Sequence, residues 1–315
     1  MKTRSDEILF RAGTGAFAVV IIAVVAAIGW VLYTDSADSI WKFGWQFWQT
    51  EIWDPVSGEF GARPFIWGTL YSSLLALLIA APVALGIAIY VSELSPGWAQ
   101  RPLVFVTELL AAIPSIVYGL WGIFVLVPAV RTLEALLPDA VRSLPMFSGP
   151  PLGLGMLSAA LLLAIMVVPF SSSIAREVLR AVPQSQREGA YALGATRWEA
   201  IRMALFYART GIVGAIMLGF GRALGETMAV TMVIGNNPRV SLSLFAPQYT
   251  MAAVIANEFT EAADELYLAA LVEIGLVLFI ITLVVNSLSR LLIWSMTRSA
   301  VVLQTPEPTE TPAAA

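Results

Sequence analysis

Arg222 and Glu226 stand four residues apart inside a stretch, 210–235, that holds no other charge. Residues i and i+4 of a helix share a face, so the two side chains can pair. If the stretch crosses a bilayer, each charge costs about 2.5–3.5 kcal/mol at the bilayer centre, and something must compensate. Two readings fit and can coexist: an internal ion pair that holds a helix bundle together, or an ionic patch lining a solute path. Gly221 and Gly225 repeat the spacing on a neighbouring face, and such pairs let helices approach closely. Helix packing is their expected role. Glu273 is a second acid within an apolar run. It can bond a neighbouring helix or bridge to Arg222.

The residue inventory removes most other chemistry. The chain has no cysteine and no histidine. That excludes disulfides, thiolate nucleophiles, a His-dependent triad and the usual His or Cys metal sites. Lysine occurs only at Lys2 and Lys42, neither after a glycine, so there is no Walker A phosphate loop and no ATP hydrolysis by this chain is expected. A membrane-embedded enzyme would have to pair Glu226 with Glu273, the only other acid within the spans. No enzymatic activity, cofactor, metal or nucleic-acid partner is expected.

These residues need elements to hold them. The 315 residues are 58% hydrophobic and only 13% charged, with mean hydropathy +0.79. Soluble domains carry about 25% charged residues. Six stretches have little or no charge: 12–33, 65–91, 109–130, 152–175, 210–235 and 267–289. Each exceeds the roughly 20 residues a helical span needs. Backbone in lipid must satisfy its own hydrogen bonds, so all six are read as helices, with Pro82, Pro114 and Pro169 as tolerated kinks. The fold class expected is all-α: a polytopic membrane protein with six transmembrane helices. The first stretch follows Lys2, Arg4 and Arg11 as a signal peptide would, but its length favours a retained helix. The segment 240–257 also lacks charge. It fits a seventh span, yet its Ser241, Ser243, Pro247 and Gln248 favour an outer-face loop or a re-entrant piece.

With the N-terminus in the cytoplasm, twelve of the eighteen Lys and Arg residues fall on the cytoplasmic side, five fall outside, and Arg222 lies within a span. The positive-inside rule then places both termini in the cytoplasm. Residues 1–64 read as an added helix and outer-face loop, 65–294 as a core, and 295–315 as a tail. From Thr305 onward the tail has nothing to bury and is expected to be disordered. The outer loop interleaves Trp41, Trp45, Trp48 and Trp53 with Phe43 and Phe47. Such rings favour the membrane–water interface, and the loop reads as an interfacial anchor or as a contact surface for an external partner.

The loop between the fourth and fifth spans has its own punctuation. Pro183 suits a helix start, and Gly194 supplies a left-handed end near Leu193. Thr196-Arg197-Trp198-Glu199 is a capping box that opens the next helix. The product is a helix, a glycine turn and a second helix projecting into the cytoplasm. Its shape suits docking into a partner's groove, or a plain amphipathic connector.

The stretch from Arg187 to Trp198, with Glu188, Gly189, Ala190, Gly194 and Thr196 at the key positions, resembles the EAA loop of ABC-importer permeases. It departs from that pattern at Gly189, where alanine is usual, and at Leu205-Phe206, where Leu-Pro often closes the motif. Three further stretches are similar to the permeases of phosphate-specific importers. They are Gly219 to Asn236 around Arg-Ala-Leu-Gly-Glu-Thr, Ala112 to Gly119, and Asn257 to Ala262. The likeness covers roughly 65–294.

The resemblance implies an ATP-driven importer of inorganic phosphate across a bacterial inner membrane. It implies four kinds of partner: membrane lipid, a second permease subunit, a dimer of separate ATP-binding chains docked on residues 187–198, and an extracytoplasmic phosphate-binding protein. Arg222, Glu226 and Thr227 would lie on the substrate path. An arginine fork donates two parallel hydrogen bonds to an oxyanion and stays charged. Glu226 would hold Arg222 in place and weaken the site enough for release. A permease for sulfate or molybdate, or a membrane phosphate sensor without transport, are the alternatives.

Overall fold

The computed structural model describes residues 2–301, with the side chains of 2–6, 8–9 and 297–301 left aside. Helix α1 (Lys2–Asp35) has an apolar middle that none of the described chain buries. It touches the rest near its far end, where Gly29 lies against Phe279 and Leu32 lies against Gly275. Helix α2 (Ala37–Phe43) and a 3₁₀ turn (Gly44–Trp48) lead to a small hairpin, β1 (Trp53–Asp54) paired antiparallel with β2 (Glu59–Phe60). Asp54 closes the hairpin by accepting from the Val56 N–H and the Ser57 hydroxyl, and these bonds hold its carboxyl below the usual range.

The aromatic loop divides in two. Phe47 and Phe60 are fully buried, while Trp41 and Trp45 are 84% and 72% exposed. Trp53 packs edge-on against Phe60 and Phe65, and Phe60 stacks on Tyr267 with centroids 5.3 Å apart. One half of the loop is therefore core, and the other half is free to meet the interface.

Helix α3 (Arg63–Ile89) runs on through a π-turn to Leu94. Its buried ridge is Gly68, Ser72, Ala76, Ala80, Ala84 and Ala88, a small residue at every fourth position. Small residues at this spacing let helix backbones come close without a hydrophobic drive between them. From Ala76 onward the ridge packs on α8 (Met156–Arg180), the central helix and the most buried of the six spans. Pro82 and Pro169 sit inside these two helices as expected.

The third span differs from expectation. Helix α4 (Gly97–Ala112) is a separate element, and the span is Ser115–Leu136 rather than 109–130. Ile113 precedes Pro114 and is extended, with ψ 129°, because a residue before proline avoids the helical region. The span comprises α5 (Ser115–Trp121), a π-turn and α6 (Val127–Leu136). A short helix, α7 (Asp139–Arg142), follows.

The fifth span also ends early. Helix α10 (Arg197–Leu224) follows α9 (Gln184–Ala192), then breaks, and α11 (Met228–Val233) is a distinct short helix. Residues 234–250 form a folded loop rather than a seventh span, and α12 (Met251–Glu258) is too short to cross. The loop has a structural duty. Carbonyls of Val233, Ala246 and Leu244 accept from the N–H groups of Gly155, Met156 and Leu157, at 3.0, 3.2 and 2.7 Å. Those N–H groups open α8 and have no partner within it. Helix α13 (Glu265–Val301) is the sixth span. It carries helix past 295, where a tail was expected; 302–315 lie outside the described residues.

Three buried clusters stack along the bundle. The middle one joins α3, α5, α8 and α11; a second joins the buried half of the aromatic loop to α12 and α13; the third joins the far ends of α3 and α8 to α10.

Candidate functional site

Arg222 sits in the last turn of α10, and Glu226 lies beyond the break. Gly225 ends α10 with φ −94° and ψ 1°, and Thr227 precedes α11 with φ −108°. The break removes the i,i+4 geometry, and among the described residues Arg222 is in no ion pair. The expected Arg222–Glu226 pair is therefore not formed. Glu226 Oε1 instead accepts from the Ala229 N–H at 3.4 Å and caps α11. The Thr227 hydroxyl donates to the Gly225 carbonyl at 3.3 Å, and the Thr227 carbonyl accepts from Thr231 Oγ1 at 2.7 Å.

Helix ends explain how both charges are tolerated. A cation is favoured at a helix C-terminus and an anion at an N-terminus. Arg222 and Glu226 occupy those places on two successive helices. The Arg222 guanidinium lies 5.3 Å from the Phe170 ring centroid, and its side chain is exposed on the isolated chain. Among the described residues no acid pairs with its five donors.

The glycines nearby part company. Gly221 faces Asn286 Oδ1 on α13, where an added Cβ would sit 3.5 Å away, so it serves packing of α10 on α13. Gly225 meets no other helix and is the break itself. Glycines matter more in the third span, where Gly119 of α5 and Gly122 of the π-turn after it admit Met232 and Val233 of α11 so closely that a Cβ would collide. Glu273 does not bridge to Arg222. It is 3% exposed on α13, faces Ser39 of α2, and its Oε2 has no hydrogen-bond partner.

The knob forms as its punctuation predicts. Pro183 precedes α9, Gly194 takes φ +82°, and Thr196 and Glu199 complete a reciprocal capping box at the start of α10. Its side chains divide by role. Arg187 points inward: its Nη2 is 2.6 Å from Glu93 Oε1, and it also donates to the carbonyls of Val182 and Leu179. Ala190 is buried beneath the turn. Glu188, Gly189, Gly194 and Thr196 are exposed. Leu193 and Trp198 present apolar surface, 91% and 62% exposed.

Two residues without an assigned role in the sequence organise this framework. Glu93 holds Arg187 with its carboxylate, and its backbone carbonyl accepts from Arg197 Nη2 at 2.6 Å. The signal was an acid at the very end of an apolar run. Glu258 lies in the Asn257–Ala262 stretch, and its Oε2 accepts from Trp53 Nε1 at 2.8 Å and the Tyr267 hydroxyl at 2.6 Å. It fastens the N-terminal hairpin to α12 and α13.

Comparisons with known proteins agree on one family. The model described as binding-protein-dependent transport system inner membrane component matches residues 80–298. A phosphate transport system permease protein PstC of Mesorhizobium japonicum is 45% identical over 290 residues, covering 90% of this chain and 89% of that one. The protein of that name in Haemophilus influenzae is 47% identical, covering 92% and 94%. A probable one in Methanocaldococcus jannaschii is 40% identical, covering 86% and 88%. A chain of the MetNI methionine ABC transporter in an inward-facing conformation shares the fold, with TM-score 0.57 at 15% identity, over 74% of this chain and 94% of that one.

Proposed function

The chain belongs to the binding-protein-dependent transport system inner membrane component family, is a multi-pass membrane protein, and, we propose, is a permease subunit of an ATP-driven importer of inorganic phosphate. The observation that carries the substrate reading is Arg222, an exposed guanidinium that is in no ion pair among the described residues and stands at a break between two helices of the fifth apolar stretch. The names of relatives at 45–47% identity favour phosphate over sulfate or molybdate.

A second permease subunit would complete the path. The exposed Arg222 supports that reading, since a charge within a span needs a polar or protein neighbour in the assembled membrane. With the knob in the cytoplasm, Leu193 and Trp198 would dock into a separate ATP-binding chain, and an extracytoplasmic binding protein would deliver phosphate to the opposite face. Helix α10 supplies the mechanical link. Its 28 residues span about 42 Å from the capping box to the turn that holds Arg222. A push on the knob by the closing ATPase dimer therefore moves one rigid element whose other end is the anion site. Phosphate passes along Arg222 without a covalent step, and Glu226 and Thr227 fix the break that orients it.

The test is radiolabelled phosphate uptake into cells lacking their own high-affinity importer, with the chain expressed beside its genomic neighbours. Saturable uptake is expected, lost in Arg222→Gln at matched membrane abundance and not competed by sulfate. Uptake of sulfate or molybdate instead would replace the substrate. Absence of any flux with all partners present would leave a sensor role.

A further inference from the structure

A cavity of about 370 Å³ opens between α4 and the end of α8, lined by Gln100, Arg101, Val104, Phe105, Glu108 and Arg180. It lies on the knob side, where α3 and α8 complete their spans at Leu94 and Arg180 and α4 begins at Gly97. Beside it, Arg176 is 6% exposed. Its Nη2 bridges Glu108 and Glu177 at 3.2 and 2.8 Å, and its Nε and Nη1 have no partner. Among the described residues neither Arg101 nor Arg180 is in an ion pair.

We infer that the Arg101–Arg180 cavity between α4 and α8 holds the phosphate headgroup of an anionic phospholipid from the leaflet on the knob side. The three arginines in and beside the cavity, Arg101, Arg176 and Arg180, exceed the two acids, Glu108 and Glu177, by one positive charge. A phosphodiester carries one negative charge, whereas free phosphate near neutral pH divides between monoanion and dianion. Basic pockets between membrane helices at the cytoplasmic boundary suit anionic headgroups, and arginine forks suit phosphate oxygens. The apolar side chains of α4 continue the site toward the hydrocarbon: Phe105 and Leu109 are 65% and 54% exposed, and Trp98 is 82% exposed. The inference rests on the orientation that puts the knob in the cytoplasm and is independent of the transported solute.

Native mass spectrometry of the chain, purified with the subunits that accompany it, tests this. Added phosphatidylglycerol should be retained over phosphatidylcholine by roughly tenfold or more, as two surface arginines allow. The preference should vanish in the Arg101→Gln/Arg180→Gln double variant and persist in the Arg101→Lys/Arg180→Lys pair. Millimolar inorganic phosphate should leave the bound lipid in place. Equal retention of the two lipids by the wild type, or an unchanged preference in the Gln pair, would overturn the proposal. Displacement by inorganic phosphate would assign the cavity to the free anion instead. The wild-type competition alone decides the matter if the Gln pair fails to assemble.

Discussion

Arg187 of α9 and Glu93 at the end of the first core span are joined across the base of the knob, Nη2 to Oε1 at 2.6 Å and Nε to Oε2 at 3.3 Å. This two-point contact ties the knob to α3, while the Arg197 bond to the Glu93 carbonyl ties the start of α10 to the same place. One acid thus couples the two helices that meet the knob. The side chains are 20% and 10% exposed, so the pair lies between surface pairs of little worth and buried pairs that cost several kcal/mol to break.

Arg187→Ala is therefore expected to lower stability by about 2 kcal/mol and to uncouple the knob from α3. Thermal unfolding in detergent measures the first effect and ATP-driven uptake the second. The Arg187→Glu/Glu93→Arg exchange should recover part of both, because the carboxylate and guanidinium are again paired. Equal loss in the single and exchanged variants would mean that the backbone bonds to Val182 and Leu179, and not the ion pair, hold the knob.

Glu226 separates a structural role from an electrostatic one. Its carboxylate caps α11, and a glutamine oxygen can accept the same bond from Ala229. Glu226→Gln should keep the fold, change the charge beside Arg222, and slow release so that uptake falls while phosphate binding tightens. Glu226→Ala should in addition lose about 1 kcal/mol of stability with the cap. Detergent unfolding curves of the two variants, set beside their uptake, distinguish the roles. If both variants lose the same stability, the cap carries no weight.

Gly68 lies where α3 meets the Tyr249 carbonyl so closely that any Cβ would overlap it. Backbone cannot shift as a flexible side chain can, so Gly68→Ala should abolish most of the folded protein, read as monodisperse material after solubilisation. Gly86 on the same helix has open space around it. Gly86→Ala should be neutral or stabilising by up to about 1 kcal/mol, as expected for alanine over glycine in a helix interior.

How far the sequence carried depended on where the controlling interaction lay. The knob was legible because Gly194, Thr196 and Glu199 act on residues within three or four positions of themselves. The six helical spans were legible because composition alone sets them. The end of α10 at Leu224 was not, because the apolar residues resume after Glu226 and Thr227 and continue through Val233. The break falls at Gly225, and the segment beyond it is held by remote contacts, since the carbonyls of Val233, Leu244 and Ala246 accept bonds at the start of α8. Once the loop is drawn to α8, Glu226 can no longer share a helix face with Arg222. The start of the third span was misplaced for a nearer reason, since Pro114 bars Ile113 from helix and cuts α4 away.

Leu193 and Trp198 give the last prediction. They stand 91% and 62% exposed at the tip of the knob, while Ala190 beneath them is buried. Both side chains stand mostly clear of the described residues, so Leu193→Ser with Trp198→Ser should leave stability within about 0.5 kcal/mol of wild type. If they are the apolar centre of an interface, their loss removes the anchors that carry most of the binding energy, and the ATP-binding chain should no longer co-purify. Ala190→Leu provides the contrast. It should overpack the turn and destabilise the chain by roughly 1–3 kcal/mol, weakening co-purification only through loss of folded protein. Retained association of the ATP-binding chain with the Ser pair would move the docking surface elsewhere on the molecule.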